Sequence, residues 1–163
     1  MVGNNMSHSC PFCRGIEKER LIYAGDLFLV FQDYYPVNPG HTLIVPKRHI
    51  TELSQLTIEE RLRFFELVEK MIKILKEVLH PEGFNIGLNI GKVAGQTIEH
   101  IHFHIIPRYE GDTPDPRGGL RKVITGIWGD RTYWREKWTK NRLSCEKIEQ
   151  ISKMLSQELK NEN

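Results

Sequence analysis

The sequence of 163 residues is poor in several features that would each indicate a class of protein. No apolar run approaches the roughly 20 residues that a membrane-spanning helix needs, and residues 1–8 lack the apolar stretch of a secretory signal. Basic and acidic side chains nearly balance, with 23 Lys and Arg against 21 Asp and Glu. The formal charge of +2 predicts no nucleic acid as partner. We therefore expect a cytoplasmic protein that contacts no membrane.

Cysteine is also scarce. Cys10, Cys13 and Cys145 are an odd number, and in a reducing compartment they are not expected to form a disulfide framework. A chain of this length has room for one domain with its own core. We expect a single domain over residues 1–163, with a core at about 8–112 and a C-terminal extension at 113–163.

Hydrophobic periodicity predicts five short strands and two helices. The strands are expected as a hairpin within 21–31 that turns at Gly25-Asp26, followed by strands at 41–46, 84–91 and 98–106. A long helix lies between the third and fourth strands, and a second helix follows near the C-terminus. Because strands and helices do not alternate, this order favours an α+β fold over a parallel βαβ fold. The expected architecture is a five-stranded antiparallel sheet with the long helix packed on it, plus the C-terminal extension and helix.

The long helix has the clearest sequence signature. Thr57 and Glu60 have the spacing of a capping box, and Pro81 with Gly83 ends the run. Apolar residues at steps of three and four predict one apolar face, formed by Ile58, Leu62, Phe65, Val68, Ile72, Leu75 and Leu79. The same spacing in the second helix predicts a face formed by Ile148, Ile151, Leu155 and Leu159.

Three histidines alternate with apolar residues in the last predicted strand. His100, His102 and His104 are two residues apart, so strand geometry places their side chains on one face, roughly 7 Å from one to the next. Imidazole suits chemistry near neutral pH because its ordinary pKa is roughly 6.5. Such a group can ligate a catalytic metal, act as acid and base around a water, or attack phosphorus.

The loop before the histidines favours phosphate chemistry. Gly91 and Gly95 allow the backbone to approach a ligand closely, and Gly95-Gln96-Thr97 offers main-chain N–H groups, an amide and a hydroxyl. These donors suit an oxyanion better than a metal ion.

These motifs together resemble the histidine triad (HIT) superfamily of nucleotide hydrolases and transferases. The resemblance covers about residues 8–112. It rests on Asp33, Pro39-Gly40-His41-Thr-Leu-Ile-Val-Pro46, Asn89, Gly95-Gln96-Thr97 and His100-x-His102-x-His104-x-x-Pro107-Arg108.

The resemblance implies a role for each matching residue of the expected catalytic group, which comprises His100, His102, His104, Gln96, Thr97 and Asn89. His102 matches the nucleophile that forms a nucleotidyl-histidine intermediate, and His104 matches the histidine that contacts the phosphate and the leaving group. The family pattern places Asn89, Gln96 and Thr97 on phosphate oxygens or the leaving group, with the Gly95 backbone orienting the nucleophile. Asp33 matches a carboxylate that accepts the ribose hydroxyls. Apolar residues around the base correspond to Phe12, Phe31 and Leu43, and His41 matches a position near the triad.

The Cys10-Pro-Phe-Cys13 motif has two interpretations. A redox pair usually lies between a strand and a helix of a thioredoxin-like unit, and no such unit follows here. Two thiolates and two imidazoles would instead form a closed tetrahedral zinc site. Some members of the resembled family bind zinc through positions that correspond to Cys10, Cys13, His49 and His100, so we expect a structural zinc ion held by these four residues.

The function expected from the resemblance is hydrolysis at the α-phosphate of dinucleoside polyphosphates or nucleoside phosphoramidates. The alternatives are a nucleotidyltransferase or phosphorylase that uses the same intermediate, a nucleotide-binding signalling module, and a metallohydrolase. The resemblance also implies a homodimer. Residues 108–142 are more basic than the chain average, and Arg117, Arg121 or Lys122 could reach distal phosphates while Trp128 stacks on a second base.

Overall fold

A computed structural model describes residues 9–114, 116–117, 119–120, 136 and 138–160. The predicted contacts of Arg121, Lys122 and Trp128 with the substrate fall outside these residues, whereas Arg117 is described and exposed. In chain order the elements are α1 (Pro11–Arg14), β1 (Leu21–Ala24), β2 (Phe28–Gln32), β3 (Thr42–Pro46), α2 (Ile58–Leu79), β4 (Gly83–Gly87), β5 (Phe103–Arg108) and α3 (Cys145–Lys160).

The five strands form one antiparallel sheet in the order β1-β2-β3-β5-β4, which confirms the expected α+β architecture. The first two strands form the predicted hairpin, closed by a Gly25 N–H that donates to the Phe28 carbonyl over 3.0 Å. One row of paired residues crosses every strand at the same level. It consists of Leu21, Phe31, Leu43, His104 and Gly87.

Helix α2 begins as predicted. The Thr57 hydroxyl accepts the Glu60 N–H, and the Glu60 carboxylate accepts the Thr57 N–H, which completes a capping box. The helix ends where His80 adopts a left-handed conformation with φ of 53°.

The predicted buried face of α2 is wrong in its N-terminal half. Ile58, Leu62 and Phe65 are 75%, 69% and 70% exposed. The apolar side chains of α2 that are buried in the core are Phe64, Leu67, Val68, Met71, Ile74, Leu75 and Val78, of which Val68 and Leu75 belong to the predicted face. The helix therefore carries two apolar stripes, and only one of them contacts the core of this chain.

Helix α3 packs against α2 and β1. Its four buried residues are the four predicted ones, Ile148, Ile151, Leu155 and Leu159. At its C-terminal end the Lys70 ammonium of α2 donates to the Glu158 carbonyl over 3.1 Å. The extension thus completes the main core, which lies on one face of the sheet between β-strands and both long helices.

The opposite face of the sheet carries a smaller apolar cluster of Cys10, Phe12, Phe31, Leu43 and Val45. Strand β3 contributes to both clusters and is buried at all five positions. Within the described residues, no helix is long and apolar enough to cross a membrane.

Candidate active site

The histidine run begins outside the sheet. Strand β5 starts only at Phe103, so the expected strand over 98–106 is wrong for residues 98–102. There the His100 N–H donates to the Ile98 carbonyl, and the Ile101 N–H donates to the Ile50 carbonyl instead of to a neighbouring strand. The expected alternation nevertheless persists, because Ile101, Phe103 and Ile105 enter the main core.

His102 is held in one tautomer by the backbone. Its Nδ1–H donates to the His100 carbonyl over 2.7 Å, so the lone pair of the neutral ring lies on Nε2. The Phe12 ring packs against the imidazole, with ring centres 5.3 Å apart and an interplanar angle of 67°. His102 is also buried, at 6% exposure. The side chain is therefore fixed in place with an available nitrogen.

His104 lies beside His102, with ring centres 5.2 Å apart. Its Nδ1 is 2.9 Å from His41 Nε2 and 3.6 Å from Asp33 Oδ2. Burial is the main cause that lowers the His104 pKa to about 4, and the adjacent His41 lowers it further. Burial also lowers the His41 pKa, against the opposing effect of Asp33. Both imidazoles are thus neutral near pH 7.

Asp33 follows strand β2 and contacts these histidines. One carboxylate oxygen accepts the Tyr35 N–H over 2.8 Å. The other lies 3.3 Å from His41 Nε2. Asp33 was predicted to accept the ribose hydroxyls and His41 to lie near the triad, and the structure places the Asp33 carboxylate in contact with both His41 and His104.

The loop from residue 88 to 98 leaves β4 next to His104, since Gly87 pairs with His104 in the sheet. Gly91 and Gly95 take positive φ angles of 84° and 91°, and the Gly91 N–H donates to Gln96 Oε1 over 2.8 Å. The Asn89 side chain lies beside Gly95, because a Cβ added to that glycine would be 3.6 Å from Asn89 Nδ2. Thr97 is exposed at the end of this loop.

Four buried side-chain nitrogen atoms lack a hydrogen-bond partner among the described residues. Two belong to histidines of the site, His104 Nε2 and His49 Nε2, and the others are Gln96 Nε2 and Gln32 Nε2. Leaving a buried polar atom unpaired costs free energy, so such atoms are typical of sites that receive a polar ligand. The expected base-binding residues Phe12, Phe31 and Leu43 lie together in the smaller cluster, on the sheet face that also carries His104.

A second group of side chains lies at the N-terminal end of the site. The ligand atoms of Cys10, Cys13, His49 and His100 all lie within 4.8 Å of one another. Cys10 Sγ and His100 Nδ1 are 3.4 Å apart, and Cys13 Sγ is 3.4 Å from His49 Nδ1. Tetrahedral zinc with bonds of about 2.3 Å to sulfur and 2.0 Å to nitrogen has sulfur–nitrogen edges of about 3.5 Å. The cluster therefore fits a zinc ion.

The surroundings of His100 support the same fit. Its Nε2–H donates to the Pro46 carbonyl over 3.0 Å, which leaves Nδ1 as the nitrogen that faces the cysteines. Metal-binding histidines usually have such a partner on the second nitrogen. Burial lowers the His100 pKa to about 4, so the ring is in the neutral form that ligates metals.

Three residues that hold the loop between β2 and β3 were not predicted from the sequence: Asn38, Asp112 and Asn141. Asn38 Nδ2 donates to the Pro107 carbonyl over 2.8 Å and to Asp112 Oδ2 over 2.6 Å. Asp112 also forms a two-point ion pair with Arg108, which lowers the Asp112 pKa to about 2. Asn141 contacts the same loop from the extension. Loop asparagines carry no periodic signal, so only a search for amide side chains near Pro36 and Pro39 could have suggested them.

The fold and the site define an α+β protein that carries a cluster of buried histidines beside a Cys/His group. The HIT domain model matches residues 14–111, and the chain belongs to the HIT domain family.

The chain is similar in sequence to HIT proteins of other organisms. An uncharacterised HIT-like protein of Methanocaldococcus jannaschii is 44% identical over 106 residues, which are 63% of this chain and 81% of that protein. An AP-4-A phosphorylase of Mycobacterium tuberculosis is 42% identical over 98 residues. The match spans 59% of this chain and only half of the phosphorylase.

Among solved structures, a zinc-bound histidine triad family protein from Mycobacterium smegmatis has a TM-score of 0.66 and 28% sequence identity. It covers 96% of this chain, and the match covers 99% of that protein. The similarity therefore includes the C-terminal part of the chain as well as the region of the HIT match.

Proposed function

We propose that this chain hydrolyses nucleotides at the α-phosphate through a covalent nucleotidyl-His102 intermediate, with dinucleoside polyphosphates or nucleoside phosphoramidates as substrates. The observation that carries the proposal is the 2.7 Å hydrogen bond from His102 Nδ1 to the His100 carbonyl. It leaves the Nε2 lone pair for attack and stabilises the positive charge that the ring gains when Nε2 forms a bond.

The reaction proceeds in two displacements. His102 Nε2 attacks the α-phosphorus, a nitrogen–phosphorus bond forms, and the bond to the leaving group breaks with its electron pair. Water then attacks the same phosphorus, the nitrogen–phosphorus bond breaks, and one water proton is released to solvent. Products are a nucleoside monophosphate and the departing group, and His102 returns to its neutral state.

The environment of His104 favours polyphosphates among these substrates. With its pKa lowered to about 4, His104 is neutral near pH 7 and offers a hydrogen bond, not a proton, to the leaving atom. A nucleoside polyphosphate departs as an anion without a proton, whereas an amine does not. His104 Nε2 has no hydrogen-bond partner among the described residues, and it suits the developing charge on such an oxygen.

The remaining polar groups of the site suit the nucleotide. In the proposal Asn89, Gln96, Thr97 and the Gly95 backbone bind phosphate oxygens, and fixed donors of this kind stabilise charge on the transferring phosphoryl group. Asp33 accepts the ribose hydroxyls through the carboxylate edge beside His41. Phe12, Phe31 and Leu43 line the apolar side toward the base.

For the Cys10, Cys13, His49 and His100 cluster we propose a structural zinc ion. Zinc there supplies a closed tetrahedral link between the N-terminal segment and the chain that leads into β5. The zinc-bound relative from Mycobacterium smegmatis supports this proposal, as do the tetrahedral edge lengths.

A phosphorylase is the second candidate, because the Mycobacterium tuberculosis relative has that activity in its name. It would use the same first displacement, with inorganic phosphate in place of water in the second. Diadenosine tetraphosphate tests both candidates. In the absence of phosphate the hydrolase forms AMP and ATP, whereas a phosphorylase requires phosphate and forms ADP and ATP.

The decisive variant is His102→Asn, with His80→Asn as the matched control. His80 is exposed and left-handed at the end of α2, a conformation that asparagine accepts. We expect His102→Asn to lower kcat by at least about a thousandfold and to remove the adenylylated histidine seen by mass spectrometry. Binding of nucleotide by the wild-type protein without turnover would instead favour a signalling module, and a chelator-sensitive rate without a histidine adduct would favour a metallohydrolase.

A further inference from the structure

The C-terminal extension reaches the active site through one buried amide. Asn141 lies beyond residue 111, where the HIT match ends, and is 7% exposed. Its Nδ2 donates to the carbonyls of Pro36 and Val37, over 3.2 and 2.6 Å. Two carbonyl acceptors require the two N–H bonds of an amide, and a carboxylate of the same shape has none. The side chain is therefore specific for this contact.

Val37 connects the amide to the histidines. While its carbonyl accepts from Asn141, its N–H donates to His41 Nδ1 over 3.3 Å. This leaves the His41 proton on Nε2, where it lies between His104 Nδ1 at 2.9 Å and Asp33 Oδ2 at 3.3 Å. When His41 Nε2–H donates to His104 Nδ1, the proton of neutral His104 is on Nε2, a buried nitrogen that no other residue of the described part of the chain contacts by a hydrogen bond.

A second contact joins the same two segments. The rings of Tyr35 and Trp138 have centres 4.8 Å apart and meet edge to face. The Tyr35 N–H is the group that donates to Asp33 Oδ1. Residues 138–141 thus hold the loop at two points, and that loop carries the carboxylate and the histidine which adjoin His104.

We propose that Asn141 is a positioning residue of the active site: through Val37 and His41 it selects the tautomer of His104, and together with Trp138 it holds the loop that carries Asp33. The inference rests on the proposed function for the roles of His104 and Asp33. It adds that residues outside the HIT match belong to the catalytic unit. A merely structural anchor would affect stability and leave the imidazole tautomers unchanged.

The first test uses the wild-type protein alone. Nitrogen-15 NMR of the imidazoles distinguishes protonated from unprotonated ring nitrogens. We expect Nδ1 to be unprotonated in both His41 and His104 near pH 7. A protonated Nδ1 in either ring would overturn the proposal, and no variant has to fold for this result.

The second test compares Asn141→Asp with Arg142→Ala, a change at the neighbouring exposed position. The introduced carboxylate repels the two carbonyls, so the Val37 N–H moves away from His41 and the imidazole spectra of His41 and His104 change. Misplacement of a positioned group can cost about a hundredfold in rate, and we expect kcat/KM to fall by about ten- to a hundredfold. Asn141→Gln, which retains the two N–H bonds, should recover part of the loss, whereas Arg142→Ala should match wild type.

The outcomes separate the two proposals. The positioning role would be overturned if a folded Asn141→Asp variant had the same imidazole spectra as the wild-type protein and a kcat/KM within twofold of that of Arg142→Ala. If Asn141→Asp does not fold, Asn141→Gln and the wild-type tautomers decide the matter. If wild-type protein turns over no nucleotide, the proposed function fails, while the response of the spectra to substitution still tests the connection from Asn141 to His104.

Discussion

His102 Nδ1 lies 2.7 Å from the carbonyl oxygen of His100, and the side chain of His100 faces two cysteines. One residue therefore belongs to both groups of the site, through its backbone to the proposed nucleophile and through its imidazole to the proposed zinc ion. Phe12 adds a second connection, because it lies between Cys10 and Cys13 in sequence and packs against His102. The arrangement of the Cys/His cluster and that of the nucleophile are thus coupled.

Loss of a cysteine from the cluster should release zinc. Removing a residue that only hydrogen-bonds to a metal ligand lowers metal affinity roughly 10–100-fold. Cys13→Ser removes a ligand itself, so it should weaken zinc binding by at least that factor. Zinc content by atomic spectroscopy and the thermal midpoint Tm are the measurements, and both should fall. Cys145→Ser is the matched control, since Cys145 is an exposed cysteine at the start of α3. Equal zinc content in the two variants would eliminate the site.

Protonation of His104 should oppose folding in mildly acidic solution. Its pKa is about 4 in the folded protein, against an ordinary value of 6.5, and it faces His41, Asp33 and His102. Between about pH 6.5 and pH 4 the imidazole of His104 is protonated in the unfolded chain and neutral in the folded protein. The free energy of unfolding therefore decreases as pH falls across that window. In His104→Asn that decrease should be smaller. Urea denaturation of both proteins at pH 7 and pH 5 measures it, and identical pH dependence would contradict the assignment.

Helix α3 should contribute strongly to stability. Ile151 is fully buried in the main core, and truncating a buried isoleucine to alanine typically costs about 2–5 kcal/mol. We expect this loss in the free energy of unfolding of Ile151→Ala. Lys153→Ala changes a mostly exposed side chain on the same helix and should stay within about 0.5 kcal/mol of wild type. A small effect at Ile151 would mean that the helix packs only loosely on the core.

The exposed apolar stripe of α2 should be covered in the homodimer that the family resemblance implies. Isolated apolar residues on a surface are ordinary, but Ile58, Leu62 and Phe65 are aligned on one face of a helix. Phe65→Glu should convert the expected dimer to a monomer in light scattering at micromolar concentration, whereas Glu77→Lys, a change at an exposed position on a different face of α2, should not. A wild-type monomer, or a Phe65→Glu dimer, would exclude this stripe as the interface.

Local signals predicted much of the fold. The Gly25-Asp26 turn, the Thr57 capping box and the four buried residues of α3 all follow from patterns within a few residues, and all three are present. The buried face of α2 was predicted incorrectly because apolar residues occupy two stripes of that helix. Periodicity finds both stripes, and only the position of the sheet decides which one is buried.

In the candidate site, too, local patterns predicted some features and tertiary packing determined the others. The spacing within the histidine run and within Cys10–Cys13 follows from short motifs, which constrain their own geometry. That these cysteines meet His49 and His100 was implied by the family resemblance. The departure of residues 98–102 from the strand depends on Ile101 bonding to Ile50, and the contact of Asn141 with Val37 joins positions more than a hundred residues apart. Such pairings arise from tertiary packing, and a single sequence contains no local signal for them.

Burial of β3 on both faces has a consequence for how the molecule opens. This strand pairs with β2 on one edge and with β5 on the other. Its two faces are covered by the main core and by the smaller apolar cluster. Deuterium should enter the β3 amides last and only with global unfolding, whereas the exposed Gly91–Gly95 loop should exchange through local opening. The loop from residue 88 to 98 can then move locally, as the proposed reaction requires for nucleotide to enter and leave, while β3 keeps its pairing with β5.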